Sequence, residues 1–212
     1  MTEGVDHLVL AAPDLATGVS HVEDLLCARA IPGGRHPRWG THNAIVSLGP
    51  GIYLEIIAPD PERIRSESVT LFGVDRIRTP QLVTWAAKAR DLESRHARAK
   101  QAGFALGSIL DGERERPDGS RLSWRLTDPA RLIADGIVPF LIDWRNSEHP
   151  ADRNPPAGRL QELRAEHPDP TTVQRILEAM GLHIRIERAD RSRLIATIRT
   201  DTDELELSGS QQ

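Results

Sequence analysis

One order of elements occurs twice in this chain, and a repeat of that size leaves few folds open. With Asp14–Leu15 placed over Asp91–Leu92, VDHLVLAAPDL lies on LVTWAAKARDL. His7 then falls on Thr84 and Leu8 on Trp85. The first pass opens with an apolar strand, Val5–Ala11, which Pro13–Asp14 ends. A short helix over Gly18–Ala28 follows, with Val19, Val22, Leu25 and Leu26 at helical spacing. Ile31–Gly34 reads as a turn and His36–Gly40 as an irregular piece or ragged strand. Ala44–Leu48 and Ile52–Ile57 read as strands joined by Gly49–Pro50–Gly51.

At Pro80 the pattern restarts. Leu82–Ala87 is strand-like, and Asp91–Ala102 is a helix that Asp91 can cap and Gly103 stops. Ser108–Gly112, a polar turn at Arg116–Ser120, the alternating Arg121–Leu126 and the apolar Gly136–Trp144 complete the pass. The chain therefore predicts an α+β fold: one β-α-β-β-β module over residues 1–60, a connector over 61–79 with an apolar piece at Val69–Val74, and a second module over 80–150.

A polar, proline-rich stretch, Arg145–Gly158, leads into a third and shorter unit over 151–212. Leu160–His167 reads as a strand and Pro170–Met180 as a helix capped by Asp169 or Thr171. His183–Arg188 and Arg193–Thr200 read as hairpin strands about an Ala189–Ser192 turn. Leu205–Leu207 makes an edge strand, and the tail from Ser208 frays. AEHPDP echoes LAAPDL, so this unit reads as a relative of the other two.

Composition narrows the classes. A chain of 212 residues, 39% apolar and 27% charged, suits a folded core. The net charge is -4 with both signs interspersed, so no basic groove for nucleic acid is expected. There is no apolar run long enough to cross a bilayer and no signal-peptide pattern, so a cytoplasmic protein without membrane contact is expected. The single cysteine, Cys27, rules out an internal disulfide and a thiolate cluster, and it reads as a buried structural thiol.

Site chemistry concentrates in GTHNAIVSLGPGIYLEIIAPD, residues 40–60. Glu55 has apolar neighbours on both sides; in a central strand it needs a partner, a metal or a ligand. A two-residue loop at Gly49–Pro50 puts His42 on the face of Glu55, whereas a three-residue loop puts Asn43 there. Both remain open. Trp39, beside this stretch, reads as a pocket residue; Trp85 and Trp144 are further candidates for contact with a ligand. Arg145 is suited to an anionic group. His36, His96, His167 and His183 read as ordinary surface or helix residues, and His149 as an ordinary exposed loop histidine. Gly33–Gly34 lacks the lysine and helix start of a phosphate loop.

Through His7, GTHNA and YLEIIAP, the chain resembles the vicinal oxygen chelate superfamily, in its glyoxalase-like branch. The resemblance covers roughly residues 4–150. It implies paired modules curving into an open mixed sheet around a cleft, with helices on the outer face. It also implies a divalent metal bound from the first and last strands of each module. His7 and Glu55 match two ligand positions. The second module offers Thr84 and Leu141 at the corresponding places, with Asp143 two residues on. Imidazole and carboxylate suit Zn, Fe, Mn or Ni, but two ligands are too few.

Three functions follow as expectations. The first is a metal-dependent lyase, isomerase or dioxygenase acting on a small molecule with vicinal oxygens, with Glu55 and His42 as catalytic candidates. The second is a metal-free protein that binds or sequesters a small ligand. The third is a partner-binding module that forms a homodimer.

Overall fold

The computed structural model describes residues 2, 4–62, 71–115 and 121–209. The turn expected at Arg116–Ser120 and part of the connector lie outside these. The first module comprises β1 (Val5–Ala11), α1 (Leu15–Leu26), β2 (Ile31–His36), β3 (Thr41–Ser47) and β4 (Tyr53–Pro59). The second comprises β5 (Gln81–Lys88), α2 (Leu92–Gln101), β6 (Ile109–Glu115), β7 (Arg121–Thr127) and β8 (Phe140–Asp143). Together they form one eight-stranded mixed sheet in the order β2-β3-β4-β1-β5-β8-β7-β6. Each module has its first strand parallel to its last, and the two modules join where β1 runs antiparallel to β5.

The sheet curves until its two edges meet. Arg114 of β6 lies over Gly34 of β2, so closely that a Cβ on Gly34 would fall 2.6 Å from its guanidinium. β2 is where the expected turn at Ile31–Gly34 proves to be a strand. Gly34 pairs with Asn43 of β3, Gly33 sits at an irregularity in the register, and both leave space that neighbouring side chains fill. The residues after it form a 3-10 turn, Pro37–Trp39, with Gly40 in the left-handed region at φ 59°.

Helix α1 starts earlier than the apolar spacing suggests. Asp14 has extended backbone, and its carboxylate accepts from the Thr17 N–H at 2.8 Å. The helix ends at Cys27, in the left-handed conformation at φ 50°. That position turns the thiol outward, so Cys27 is exposed and not the buried residue the apolar segment suggested. In α2 the carboxylate of Asp91 caps no backbone N–H and instead takes the Arg95 Nε–H at 2.7 Å. The last strand of the second module is shorter than Gly136–Trp144. Gly136 sits at φ +84° against the Val83 carbonyl, in a turn that precedes Phe140–Asp143.

The third unit comprises β9 (Arg159–His167), α3 (Pro170–Ala179), β10 (Arg185–Arg188), β11 (Arg193–Arg199) and β12 (Glu204–Gly209). Asp169 caps α3 through the Thr172 N–H. The strand order is β10-β9-β11-β12, with β9 inside the sheet. In the modules the first strand adjoins the last. The expected hairpin is therefore replaced. α3 returns the chain parallel to β9, and the segment after β10 crosses the end of β9, where Ala189 N–H donates to the His167 carbonyl. Ser208 and Gly209 stay in register with β11 and are not frayed. Gly209 packs against the backbone of Leu82, where a Cβ would lie 1.9 Å from the carbonyl oxygen.

Burial divides the eight-stranded sheet into two faces. Leu8, Leu10, Leu54, Ile56, Trp85 and Leu141 face the helices and the third unit in one continuous core. Val9, Ala11, Ile57, Val83, Phe140 and Ile142 belong to a second cluster on the concave side. Central strands covered on both faces explain why YLEII and VDHLVLA read as unbroken apolar runs. No helix among the described residues is long and apolar enough to cross a membrane.

Candidate active site

The concave face carries a cleft with a polar pole from the first module and an apolar wall from the second. Register sets the polar pole. β3 and β4 pair Ile45 with Glu55 and Asn43 with Ile57, around a three-residue loop at Gly49–Gly51. Asn43 therefore shares the face of Glu55, and its Nδ2 donates to Glu55 Oε1. The amide cannot flip without loss, because its Oδ1 accepts the Gly34 N–H at 2.8 Å. A Cβ on Gly33 would lie 2.1 Å from that oxygen, so the glycine there makes room for the amide. His42 pairs with Ala58 on the opposite face, away from Glu55, and does not line the cleft.

His7 stands beside this pair. Its ring stacks on Tyr53, its neighbour across the parallel ladder, with centroids 4.5 Å apart. Its Nε2 is 3.8 Å from Glu55 Oε2. Behind it is a residue that sequence alternation assigns to the other face. Asp6 Oδ1 is 2.7 Å from His7 Nδ1. Adjacent strand residues ordinarily point apart. Here β1 and β5 slip, pairing Val5 with Ala87 and His7 with Ala86, so Asp6 is the extra residue of a β-bulge. The bulge turns Asp6 so that it backs His7.

Asp6 is fully buried and fully engaged. Besides His7 it takes the Trp144 indole N–H, at 3.1 and 3.2 Å, and His149 Nε2 at 3.2 Å. His149 Nδ1 accepts the Ala151 N–H, which fixes the proton on Nε2. Burial pushes the Asp6 carboxyl up, but the hydrogen bonds and charges of His149 and His7 outweigh it and hold the group at about 2. Asp6 is thus an anion with dedicated donors. It accepts the His7 Nδ1–H, which turns His7 Nε2 towards Glu55. Burial, reinforced by the negative Glu55 and Asp6, raises the Tyr53 phenol well above its ordinary value. His36 also lines the cleft, and burial is the chief cause that lowers its imidazole.

The facing wall is Leu122, Trp124, Leu126, Phe140 and Ile142, with Trp39, Leu71 and Phe72 at the rim. The cavity measures about 80 Å³. At about 10–15 Å³ per water-sized sphere it admits a ligand of only a few heavy atoms. Of the sequence candidates, His7, Trp39, Asn43, Glu55 and Trp144 come together here. Trp85 does not. It is buried in the core on the helix side, its indole bonded to the Ile137 carbonyl at 2.8 Å. Arg145 does not line the cleft; it is paired with Asp111 and lines a separate cavity with Asp143 and Lys88. Asp6, Arg114 and Phe140 were not singled out from the sequence, and His36 and His149, which read as ordinary, instead line the cleft and bond Asp6 respectively. Asp6 left one signal, a second charged residue within VDHLVLA.

A resident divalent ion does not fit this donor set. Thr84 Oγ1 is turned to the Gly136 carbonyl, and Leu141 faces the helices. Phe140 and Ile142 occupy the wall where second-module ligands would stand. Among the described residues no group of three or more His, Cys, Asp or Glu side chains is placed to hold a metal.

Comparison with known proteins agrees with this architecture. The family described as Glyoxalase-like domain matches residues 5–181. No curated protein matches the chain in sequence. A solved structure of a hypothetical protein from Staphylococcus aureus superposes with a TM-score of 0.64 at 15% identity, over 96% of this chain and 84% of that one. At that identity the likeness is one of fold. Methylmalonyl-CoA epimerases are more distant. The Streptomyces coelicolor enzyme gives 0.44 at 19% identity, covering 70% of this chain and 99% of its own. The Mycobacterium tuberculosis enzyme gives 0.42 at 21%, covering 66% and 86%. With the family signature spanning both modules, and those modules joined into one curved sheet about a cleft, the chain belongs to the glyoxalase-like domain family of the vicinal oxygen chelate superfamily.

Proposed function

We propose that this protein is an isomerase or lyase that moves a proton at a carbon next to a carbonyl group in a small molecule with adjacent oxygens. The observation that carries this reading is the series Asp6–His7···Glu55–Asn43 at the first-module end of an aromatic cleft. Glu55 Oε2 takes the proton from carbon, and the C–H electron pair moves into an enolate. Glu55, now neutral, returns the proton to the same or the neighbouring carbon. The Asn43 amide supplies a hydrogen bond to an oxygen that gains charge. Asp6 accepts the His7 Nδ1–H, so the ring presents Nε2 as an acceptor beside Glu55. The apolar wall excludes water, which strengthens each of these interactions.

The test is proton exchange. A panel of small 2-oxo acids, 2-hydroxy ketones and 2-oxo amides is incubated in D2O and followed by NMR. The protein is expected to wash deuterium into a C–H next to a carbonyl, with chelator present, and Glu55→Gln to slow this by roughly 10²–10⁴-fold. Exchange in no compound, or equal exchange in the variant, defeats the proposal. A second reading, a protein that sequesters its ligand, is favoured by the aromatic wall of Trp39, Trp124, Phe140 and Trp144. It predicts saturable binding in the same panel with no exchange.

A further inference from the structure

One polar group of the cleft is used neither by the fold nor by the chemistry proposed above. Tyr53 lines the cleft and is only 5% exposed. Its ring is held in place: it stacks on His7, lies tilted against His149 at 5.5 Å, and packs with Ile45 and Ala151. Its hydroxyl is not. Among the described residues no group hydrogen-bonds it. A buried hydroxyl without a partner is destabilising, and folds ordinarily supply one. The indoles of Trp39 and Trp124, which also line the cleft, are only half-buried and open to water. Burial, then the Glu55 and Asp6 carboxylates, raise the phenol against the opposite pull of Arg114. It therefore keeps its proton and meets an anion as a donor.

Tyr53 and Glu55 are alternate residues of β4, so their side chains leave the same face about 6–7 Å apart along the strand. That spacing suits a carbon acid laid along β4, with its C–H at the carboxylate and its carbonyl oxygen at the phenol. We infer that Tyr53 is a catalytic residue whose hydroxyl donates a hydrogen bond to the carbonyl oxygen of the ligand. The role in catalysis rests on the proposed proton-transfer reading; the contact with the ligand does not. As Glu55 takes the proton, the C–H electron pair forms the C=C bond and the carbonyl π pair moves to oxygen. The Tyr53 O–H holds that oxygen as the enolate and keeps its own proton. The electrons return by the same path when Glu55 gives the proton back. The Asn43 amide already has an N–H on Glu55, and His7 Nε2 is an acceptor. Because the stacked ring fixes the phenol before a ligand enters, the donor needs no reorganisation as charge develops.

Tyr53 is the single tyrosine of the chain, so 3-fluorotyrosine incorporated throughout reports on it alone. The panel of small carbonyl compounds is applied to this protein, to wild type and to Tyr53→Phe. Binding is followed by tryptophan fluorescence and fluorine NMR, and exchange in D2O by proton NMR. The fluorine resonance is expected to move on binding, and Tyr53→Phe to bind the same compound about three- to tenfold more weakly. The variant is expected to melt no lower than wild type, since the hydroxyl it lacks bonds nothing in the protein. It is expected to slow exchange roughly 10²–10³-fold, in the maximal rate more than in the apparent affinity. A variant that melts several degrees lower shows a hydroxyl with a structural role and overturns the inference. So does binding that leaves the fluorine resonance unmoved, or no binding by any compound. Exchange in Tyr53→Phe equal to wild type, with Glu55→Gln slow, overturns it and leaves the proton-transfer reading standing. A moved resonance and weakened binding without exchange in wild type sink the proton-transfer reading and leave the Tyr53 contact standing.

Discussion

Asn43 donates to Glu55 only because Gly34 holds the other end of its amide. The Gly34 N–H occupies Asn43 Oδ1 at 2.8 Å, so Nδ2 is the atom that meets the carboxylate. The edge strand of the module thereby orients the residue at its centre. Asn43→Ala is expected to cost about 1–3 kcal/mol, since it leaves both a buried carboxylate oxygen and a backbone N–H short of a partner. Urea denaturation measures this, and a change within error would show that water replaces the amide without cost.

The two glycines of β2 differ in what they tolerate. Gly33→Ala places a methyl group 2.1 Å from a buried, hydrogen-bonded oxygen. It is expected to destabilise the fold by about 1–3 kcal/mol. Gly34→Ala meets a long arginine side chain that can swing away. Its expected effect on stability is smaller, within about 1 kcal/mol. Thermal melts of the two variants read the difference.

Asp6 gives the protein a pH dependence with a defined sign. Its folded-state value is depressed, about 2 against an ordinary 3.8. Its contribution is therefore complete above about pH 4 and disappears as pH falls towards 2, where folded and unfolded states both bind the proton. The difference corresponds to about 2 kcal/mol. Asp6→Asn is expected to lose that amount at pH 6, with the gap between wild type and variant closing between pH 4 and 2. Urea titrations across that range test it; a gap that widens on acidification would be the wrong sign.

Trp144 lines the cleft, yet its polar atom is committed to Asp6. Trp144→Phe keeps the ring wall and removes the donor, with an expected loss of about 1 kcal/mol. In a double-mutant cycle with Asp6→Asn the two changes are expected to couple by about 0.5–3 kcal/mol. Additive losses would mean that the indole contributes packing alone.

Much of the fold was legible because it is periodic. The strand–helix–strand order repeats with Pro13–Asp14 and Asp91 at matching places, and both passes have the same strand order in the sheet. The central strands are buried on both sides, so their apolar runs mark them plainly. β2 was illegible for the opposite reason. An edge strand of Ile-Pro-Gly-Gly has no apolar face to show, and its glycines are explained only by the Asn43 and Arg114 side chains that occupy their space. The third unit's strands were visible, but their pairing was not, since a strand's residues do not state which neighbour it takes.

For the site, the sequence by itself marked Glu55 as a carboxylate flanked by apolar residues in a strand, with His7 on the first strand of the same module. Local pattern suffices for that. Only the tertiary structure decided which of His42 and Asn43 joins them, because one residue of loop length exchanges the two faces of β3. It alone brought Asp6 behind His7, since a bulge breaks the alternation from which facing is read. It alone set Trp85 in the core and Arg114 in the cleft. Curvature of the whole sheet brings β6 against β2, and no stretch of sequence carries that long-range closure in its own pattern.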